Sequence, residues 1–444
     1  MFVWLTTATW NGCEKLKNKK TKKILKYCIL AFCITCVLGT VFLWAYTRWD
    51  LGEVISDVYF STERQQEDVW ADAPDADGSG VAQRDEAGTN DTQSTANDNA
   101  IANADVSDDK DMQAEGLPEI LTDQKGEMTL VFGGDICFYD PYANMGAYRE
   151  RGSDIEKCIS PYLLQEMRNA DVCMVNNEFS YSNRGAPLEG KMYTFRSKPE
   201  NVTILHDMGV DIVSVANNHA YDYGPDAFVD TLKTLDDAKI YHVGGGENLE
   251  EASKPVFITQ NNLTIGYVAA TQIERNDAPD TKGATDESPG VLRCYNQREL
   301  DHFLEVVKTA KTQCDFLVVY IHWGTENTAE PDWAQPHQAD LISRAGADII
   351  VGCHPHCLQG LALVNDVPVI YSLGNYWFNS KTVDTALLKV KVNADGIDSL
   401  QMIAARQAGC ATNELSGTEK ASVIGYLQNL SPDVSFDEEG FVTW

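Results

Sequence analysis

Along residues 125–444, short apolar runs alternate with stretches of helical period, and each kind predicts an element. Met128–Phe132, Val172–Val175, Asp211–Ala216, Leu263–Ala270, Phe316–Ile321, Ala347–Val351 and Val367–Leu373 read as strands. Pro161–Ala170, Pro225–Ala238, Glu299–Lys311 and Ala334–Ala345 read as helices. Pro225 suits a first helical turn, where the N–H it lacks would be unpaired anyway. Near-continuous apolar strands separated by helices predict an α/β fold with its sheet covered on both faces. Farther on, Ala386–Val392 and Leu400–Ala405 predict a hairpin. Ser416–Leu430 predicts a helix opened by a capping box of Ser416 and Glu419.

Polar residues gather where the strands end: Asp135, then Asn176-Asn177-Glu178, Asn217-Asn218-His219, His322 and Asn375. In α/β sheets ligands bind outside the carboxyl ends of strands. One such cluster could be a turn; five at five strand ends argue for a site. The run Val351-Gly352-Cys353-His354-Pro355-His356-Cys357 says most. It sets two of only eight histidines two residues apart behind a buried strand. Extended backbone would turn both to one side.

Asp135, Glu178, Asn218, His322, His354 and His356 offer carboxylate, amide and imidazole donors. That mixture suits Mn, Fe or Zn and, through oxygen, Mg. Two ions bridged by a carboxylate would clamp a phosphoryl group or another tetrahedral centre and activate a water. His219 would then be free to protonate a leaving group. Cys353 and Cys357 flank the histidine pair, but no second C-x-x-C pair completes a zinc knuckle. His206, His242, His302 and His337 read as structural.

The N-terminal segment has a different pattern. Seven lysines between Lys15 and Lys26 precede an apolar run from Tyr27 to Tyr46, with Trp44, Tyr46 and Trp49 at its far end. About 20 apolar residues suffice to span a bilayer. The lysines predict a cytoplasmic N-terminus and an outward-facing body, and with no A-x-A site following, an uncleaved anchor. Residues 51–120 hold 18 acidic against 3 basic residues and few apolar ones. Such a segment cannot bury enough surface to fold and predicts an extended, self-repelling stalk. It carries about half of the formal net charge of -31. That acidity argues against a nucleic-acid partner, whose phosphates need Lys and Arg. It leaves an anionic substrate open, because local cations override the global field. Of twelve cysteines, eight lie beyond the apolar run, several in or beside predicted strands. Those positions predict mostly unpaired thiols.

Six ordered motifs resemble those of the CapA family, bacterial poly-gamma-glutamate capsule biosynthesis proteins. They are Gly133-Gly134-Asp135, Asn176-Asn177-Glu178, Ala216-Asn217-Asn218-His219-Ala220-Tyr221-Asp222-Tyr223-Gly224, His322-Trp323-Gly324, Gly352-Cys353-His354-Pro355-His356 and Tyr371-Ser372-Leu373-Gly374-Asn375. The resemblance covers about residues 127–380. It implies a metallophosphatase-like sandwich of two mixed sheets flanked by helices. It further implies Asp135, Glu178, Asn218, His322, His354 and His356 as metal ligands and His219 as general acid, with Asp222 orienting His219 or the Asn-His loop. Asn177, Asn217, Trp323 and Asn375 are expected to contact substrate. One departure stands out: the superfamily's Asp-x-His is here Asp135-Ile136-Cys137, one ligand short, so one ion or two are expected.

The expected organisation is a basic cytoplasmic segment (1–26), a single transmembrane helix (27–47), a stalk (48–124), the metallophosphatase-like domain (125–380) and an extension packed on it (381–444). The expected roles remain three. The first is a metal-dependent hydrolase or transferase acting on an anionic polymer such as poly-gamma-glutamate. The second is a non-catalytic, polymer-binding component working with other membrane subunits of a capsule synthesis or export complex. The third is a surface metallophosphoesterase with no capsule role.

Overall fold

Apolar runs become strands here because both of their faces find cover. The computed structural model describes residues 126–274 and 281–444. The expected basic segment, membrane helix and stalk lie outside the described residues. Among the described residues no helix is long and apolar enough to cross a membrane.

In chain order the strands of the two main sheets are β1 (Met128–Ile136), β2 (Val172–Asn177), β3 (Ile212–Ser214), β4 (Tyr241–Val243), β5 (Val256–Gln260), β6 (Leu263–Thr271), β7 (Phe316–His322), β8 (Ile349–Cys353), β9 (Leu361–Val364), β10 (Val367–Ile370), β11 (Asn375–Trp377), β12 (Val383–Asn393), β13 (Gly396–Ala408) and β14 (Ala411–Glu414). The first sheet runs β14-β13-β12-β1-β2-β3-β4, with β11 beside β1; the second runs β9-β10-β8-β7-β6-β5. Both are mixed. β1 is parallel to β2 and antiparallel to β12. In the second sheet β6, β7, β8 and β10 run parallel between antiparallel edges.

Period-two alternation sorts the side chains into layers. Met128, Leu130, Phe132 and Met174 of the first sheet share a core with Ile265, Tyr267, Val318, Tyr320 and Val351 of the second. Val131, Cys173 and Val175 point the other way. They meet Leu163 and Leu164 of helix α1 (Pro161–Arg168) and Phe228 and Leu235 of α2 (Pro225–Asp237). On the far face of the second sheet, Val319, Ile321 and Ile350 meet Phe303 and Val307 of α3 (Gln297–Lys311) and Ala339 and Ile342 of α4 (Ala334–Ala345). Each large apolar side chain buried this way contributes about 1.5–3 kcal/mol. The result is a helix–sheet–sheet–helix sandwich. Across its centre the Tyr320 hydroxyl donates to the Gly133 carbonyl at 2.7 Å.

Three details differ from the sequence reading. The stretch 381–444, read as an extension packed on the domain, contributes three strands to the first sheet. β12 pairs with β1 from Met128 to Phe132, and the expected hairpin forms between β12 and β13. The capping box at Ser416 is absent: its side chain caps nothing, and Glu419 pairs with Arg406 of β13 at 2.6 Å. A guanidinium within reach outcompetes a backbone N–H for that carboxylate. A capping box does form at Asn296 and Glu299, which starts α3 two residues earlier than expected. The eight described cysteines are free thiols.

Candidate metal centre

Strand ends from both sheets meet at one buried point. Asp135 reaches it because β1 shifts register against β2 between Phe132 and Asp135, which re-aims the side chain. Gly134 permits this. A Cβ there would lie 1.9 Å from the Gly374 carbonyl, so a side chain would push β11 away from β1. Asp135 is fully buried. Its Oδ1 accepts from the Asn176 amide at 2.8 Å and its Oδ2 from the His354 backbone N–H at 3.2 Å.

Glu178 follows β2 and is also fully buried. Its Oε2 accepts from the same Asn176 amide at 3.3 Å. Its Oε1 has no hydrogen-bond partner. That oxygen faces three imidazole nitrogens: Nε2 of His322 at 3.8 Å, of His356 at 3.8 Å and of His219 at 3.9 Å. His322, the last residue of β7, also brings Nε2 within 2.8 Å of Asn218 Oδ1 and 3.0 Å of His354 Nδ1.

His354 and His356 do share a side, but not by strand alternation. β8 ends at Cys353, and both histidines lie beyond it with φ of 97° and 56°. Left-handed backbone, costly for a side-chain-bearing residue, turns them toward the centre. The Asp135 carboxylate holds the His354 N–H, and the Asn327 N–H donates to the intervening Pro355 carbonyl at 2.8 Å. His356 Nδ1 lies 2.8 Å from Asn375 Oδ1 and 3.4 Å from Asp135 Oδ2, which leaves Nε2 facing inward.

The electrostatics follow from burial. Burial, with the Asp135 charge beside it, pushes the Glu178 carboxyl well above its ordinary range. Burial pushes His322 well down and His354 down to about 3, so both are neutral and keep a free lone pair. Burial also opposes a charge on His356, but the hydrogen bond and charge of Asp135 outweigh it and the net shift is upward. Asp135 in turn is held low despite its burial, chiefly by His356.

These residues fit a divalent metal. Ligand atoms around one tetrahedral ion lie roughly 3.3 Å apart. Two donor sets, Glu178–His322–His354 and Asp135–Glu178–His356, each keep their ligand atoms within 4.8 Å of one another. Glu178 belongs to both. Neutral His322 and His354 and the low-lying Asp135 carboxyl match what metal binding requires. Glu178 and His356, both shifted toward the protonated form, would have to give up their protons to an incoming ion.

Beside the centre, His219 Nδ1 lies 2.7 Å from Asp222 Oδ2, and its ring stacks on Phe195 with centroids 4.2 Å apart. Asp222 also accepts the Phe195 N–H at 2.6 Å and pairs with the Lys191 ammonium at 2.7 Å. Lys191 donates as well to the Asn218 carbonyl. Burial holds the His219 imidazole below its ordinary value against the pull of Asp222. A cleft of about 350 Å³ opens over the centre, lined by His219, His354, Lys191, Tyr193, Glu274 and Glu326 among others.

Every expected metal ligand therefore lies at or within one residue of this centre, with His219 and Asp222 adjoining. The expected substrate contacts fare differently. Trp323 is fully buried and its indole donates to the Tyr371 carbonyl at 2.9 Å, so it is a core residue. Asn177 and Asn217 are buried braces: the Asn177 amide donates to Phe179 O, and Asn217 ties Asn176 and Asn177 to the His219 N–H. Asn375 is buried and orients His356. Cys137 is buried among Phe138, Phe179 and Trp377, and burial raises its thiol well above its ordinary value. Sequence reasoning missed Asn176 as a shared donor, Lys191 and Glu326. For Asn176 the signal was its place in the strand-end cluster; Lys191 sits in a loop with no periodic pattern to mark it.

A family profile described as "Bacterial capsule synthesis protein PGA_cap" matches residues 129–380. "PGA biosynthesis protein CapA" of Bacillus subtilis (strain 168) is 30% identical over 287 residues, 63% of this chain and 71% of its own. "Capsule biosynthesis protein CapA" of Bacillus anthracis is 30% identical over 303 residues, 66% of this chain and 70% of its own. "Probable polyglutamine synthesis accessory protein Rv0574c" of Mycobacterium tuberculosis is 30% identical over 214 residues, 46% of this chain and 55% of its own. A solved hypothetical protein from Thermus thermophilus covers 63% of this chain at 14% identity and a TM-score of 0.39, too slight a likeness to carry an argument. With more than half of its length matched, this chain belongs to the bacterial capsule synthesis protein family PGA_cap.

Proposed function

We propose that this chain is a membrane-anchored, outward-facing component of capsule or poly-gamma-glutamate biosynthesis or export. Its centre holds one or two divalent ions and hydrolyses or transfers a bond of an anionic polymer. The observation that carries the metal reading is Glu178 Oε1: a fully buried carboxylate oxygen with no hydrogen-bond partner, facing three imidazole nitrogens. Left alone, such an oxygen costs about 1–3 kcal/mol or more; a cation would satisfy it. Asp135 and His356 would hold an ion on one side, Asn218, His322 and His354 on the other, with Glu178 shared. A bound metal would supply Lewis acidity and a water of lowered pKa. The imidazole-rich donor set suits Zn, Mn or Fe better than Mg. His219, fixed by Asp222 with Nε2 toward the centre, would hold the proton for the leaving group. The anchor and outward orientation rest on the basic and apolar N-terminal pattern. The polymer rests on the relatives' names.

A second reading keeps the ion and drops the reaction. Cys137 stands where the superfamily has a ligating histidine, and two relatives are named accessory proteins. The centre would then bind polymer for other membrane subunits of a capsule complex. Metal analysis of the purified full-length chain tests the metal, with His354→Ala and His356→Ala as controls. Folded wild-type protein that takes up no metal sinks the first reading. Capsule restored by a His219→Ala protein in a strain lacking the wild type would favour the second.

A further inference from the structure

Glu326 belongs to no expected ligand set, yet its loop is built to carry it to the centre. After β7 the chain turns at Gly324, whose φ is 86°. The following loop is then fastened to the histidine loop. The Asn327 N–H donates to Pro355 O at 2.8 Å, the Gln359 amide to Thr328 O at 2.9 Å, and the Gln335 amide to Gln359 Oε1 at 2.7 Å. Thr325 is pinned by its hydroxyl to Asp332 at 2.9 Å. These ties hold Glu326 over His354 and His356, and its carboxylate keeps ligand-atom spacing to both, within 4.8 Å. The side chain is exposed, and no hydrogen bond or ion pair engages it among the described residues.

The centre has a gap on that side. Asp135, Glu178 and His356 give one donor set three protein ligands. Cys137 offers no fourth ligand, because it is buried in the apolar cluster with Phe138, Phe179 and Trp377. A second, independent sign that a cation belongs here is the unpartnered, fully buried Glu178 oxygen aimed at the same point. Resting on the metal reading above, we infer that Glu326 is a metal ligand of this centre, reaching it from the cleft beside His354 and His356. Three carboxylates would then face two divalent ions and leave one net positive charge for an anionic substrate. An exposed carboxylate ligand is also the one a substrate oxygen can displace.

The test uses the full-length chain in detergent, stripped with chelator and titrated with Mn²⁺ or Zn²⁺. Bound metal per chain and affinity are measured for wild type, Glu326→Gln and Glu326→Ala, with His354→Ala as the uptake-negative control. We expect both Glu326 variants to lose one ion per chain or bind it at least about tenfold more weakly. Their unfolding temperatures without metal should match wild type, since the side chain is exposed. The loss should persist at about 0.5 M salt, where a through-space charge effect is screened. Variants with wild-type stoichiometry and affinity within twofold, or a loss that vanishes in high salt, overturn the inference and make Glu326 a rim charge. A wild type that takes up no metal overturns the metal reading itself, and that outcome is distinguishable because it precedes any variant effect.

Discussion

Replacing Glu178 with glutamine should reverse the order of stability between metal-free and metal-loaded protein. Glu178 is fully buried, its Oε1 is unpaired, and three imidazole nitrogens stand 3.8, 3.8 and 3.9 Å away. Without a cation that arrangement leaves an unsatisfied buried acceptor, a cost of about 1–3 kcal/mol. Glutamine has the same shape. Its carbonyl can keep the Asn176 donor and its amide can face an imidazole lone pair. In chelator, Glu178→Gln should therefore be more stable than wild type by about 1–3 kcal/mol, or roughly 2–12 °C in Tm at about 2–4 °C per kcal/mol. At a metal concentration one thousand times Kd, the wild type should gain about 4.1 kcal/mol and the variant far less, so wild type should overtake. The pH dependence has a definite sign. The folded Glu178 carboxyl titrates well above its ordinary 4.5, so above that value the folded state holds a proton the unfolded state has released. Stability from this group then falls as pH rises through the window between the two values. The chelated variant lacks that loss, and its advantage should widen with pH. Differential scanning fluorimetry of the full-length chain, with chelator or Mn²⁺ and from pH 5 to 8, reads all three effects. A variant less stable than wild type in chelator, or a wild type indifferent to metal, refutes the reasoning.

Three further substitutions separate the roles of neighbouring residues. His219→Ala should retain bound metal while turnover of a susceptible polymer drops about 10²–10⁴-fold; unchanged turnover in a metal-loaded variant would remove His219 from the chemistry. Lys191→Met should cost about 3–5 kcal/mol in urea unfolding, because it strands the buried Asp222 carboxylate that Lys191 meets at 2.7 Å; a loss under about 1 kcal/mol would mean Asp222 is satisfied otherwise. Trp323→Phe should cost about 1–3 kcal/mol through the lost donor to Tyr371 O and leave metal affinity unchanged; a large fall in metal uptake would return Trp323 to the site.

What the sequence made legible was the period and the strand end. Apolar runs located β1, β2, β6, β7 and β8 to within a residue or two at most ends, and the polar residues closing them proved to converge. Burial on both faces leaves little freedom in where such a strand lies. Less legible was anything decided by a distant partner. Glu419 satisfied a local capping pattern and went to Arg406 of β13. Asn177 and Trp323 carried the right motif positions and turned inward, because a strand-end motif specifies where a residue is and not which neighbour claims its donor. Lys191 was invisible because its partner Asp222 is remote in sequence, and Glu326 because a lone loop glutamate has no local signature.

The histidine pair shows how a correct outcome can follow from an incomplete cause. Alternation would have turned His354 and His356 the same way had the strand continued, but it stops at Cys353. The pair is aligned by left-handed backbone at both residues, a conformation that relaxes unless neighbours over-determine it. Here they do: Asp135 takes the His354 N–H, Asn327 donates to Pro355, and Asn375 fixes the His356 ring. Two of those anchors, Asp135 and Asn375, sit on the first sheet, while the histidines follow the second. The centre can therefore form only when the two sheets are packed, and Tyr320 bonding to Gly133 is part of that packing. Cys137 serves the same packing: it lies in the apolar cluster, and its N–H donates to the Trp377 carbonyl of β11 at 3.2 Å, so the strand that carries Asp135 stays seated beside the strand that carries Asn375.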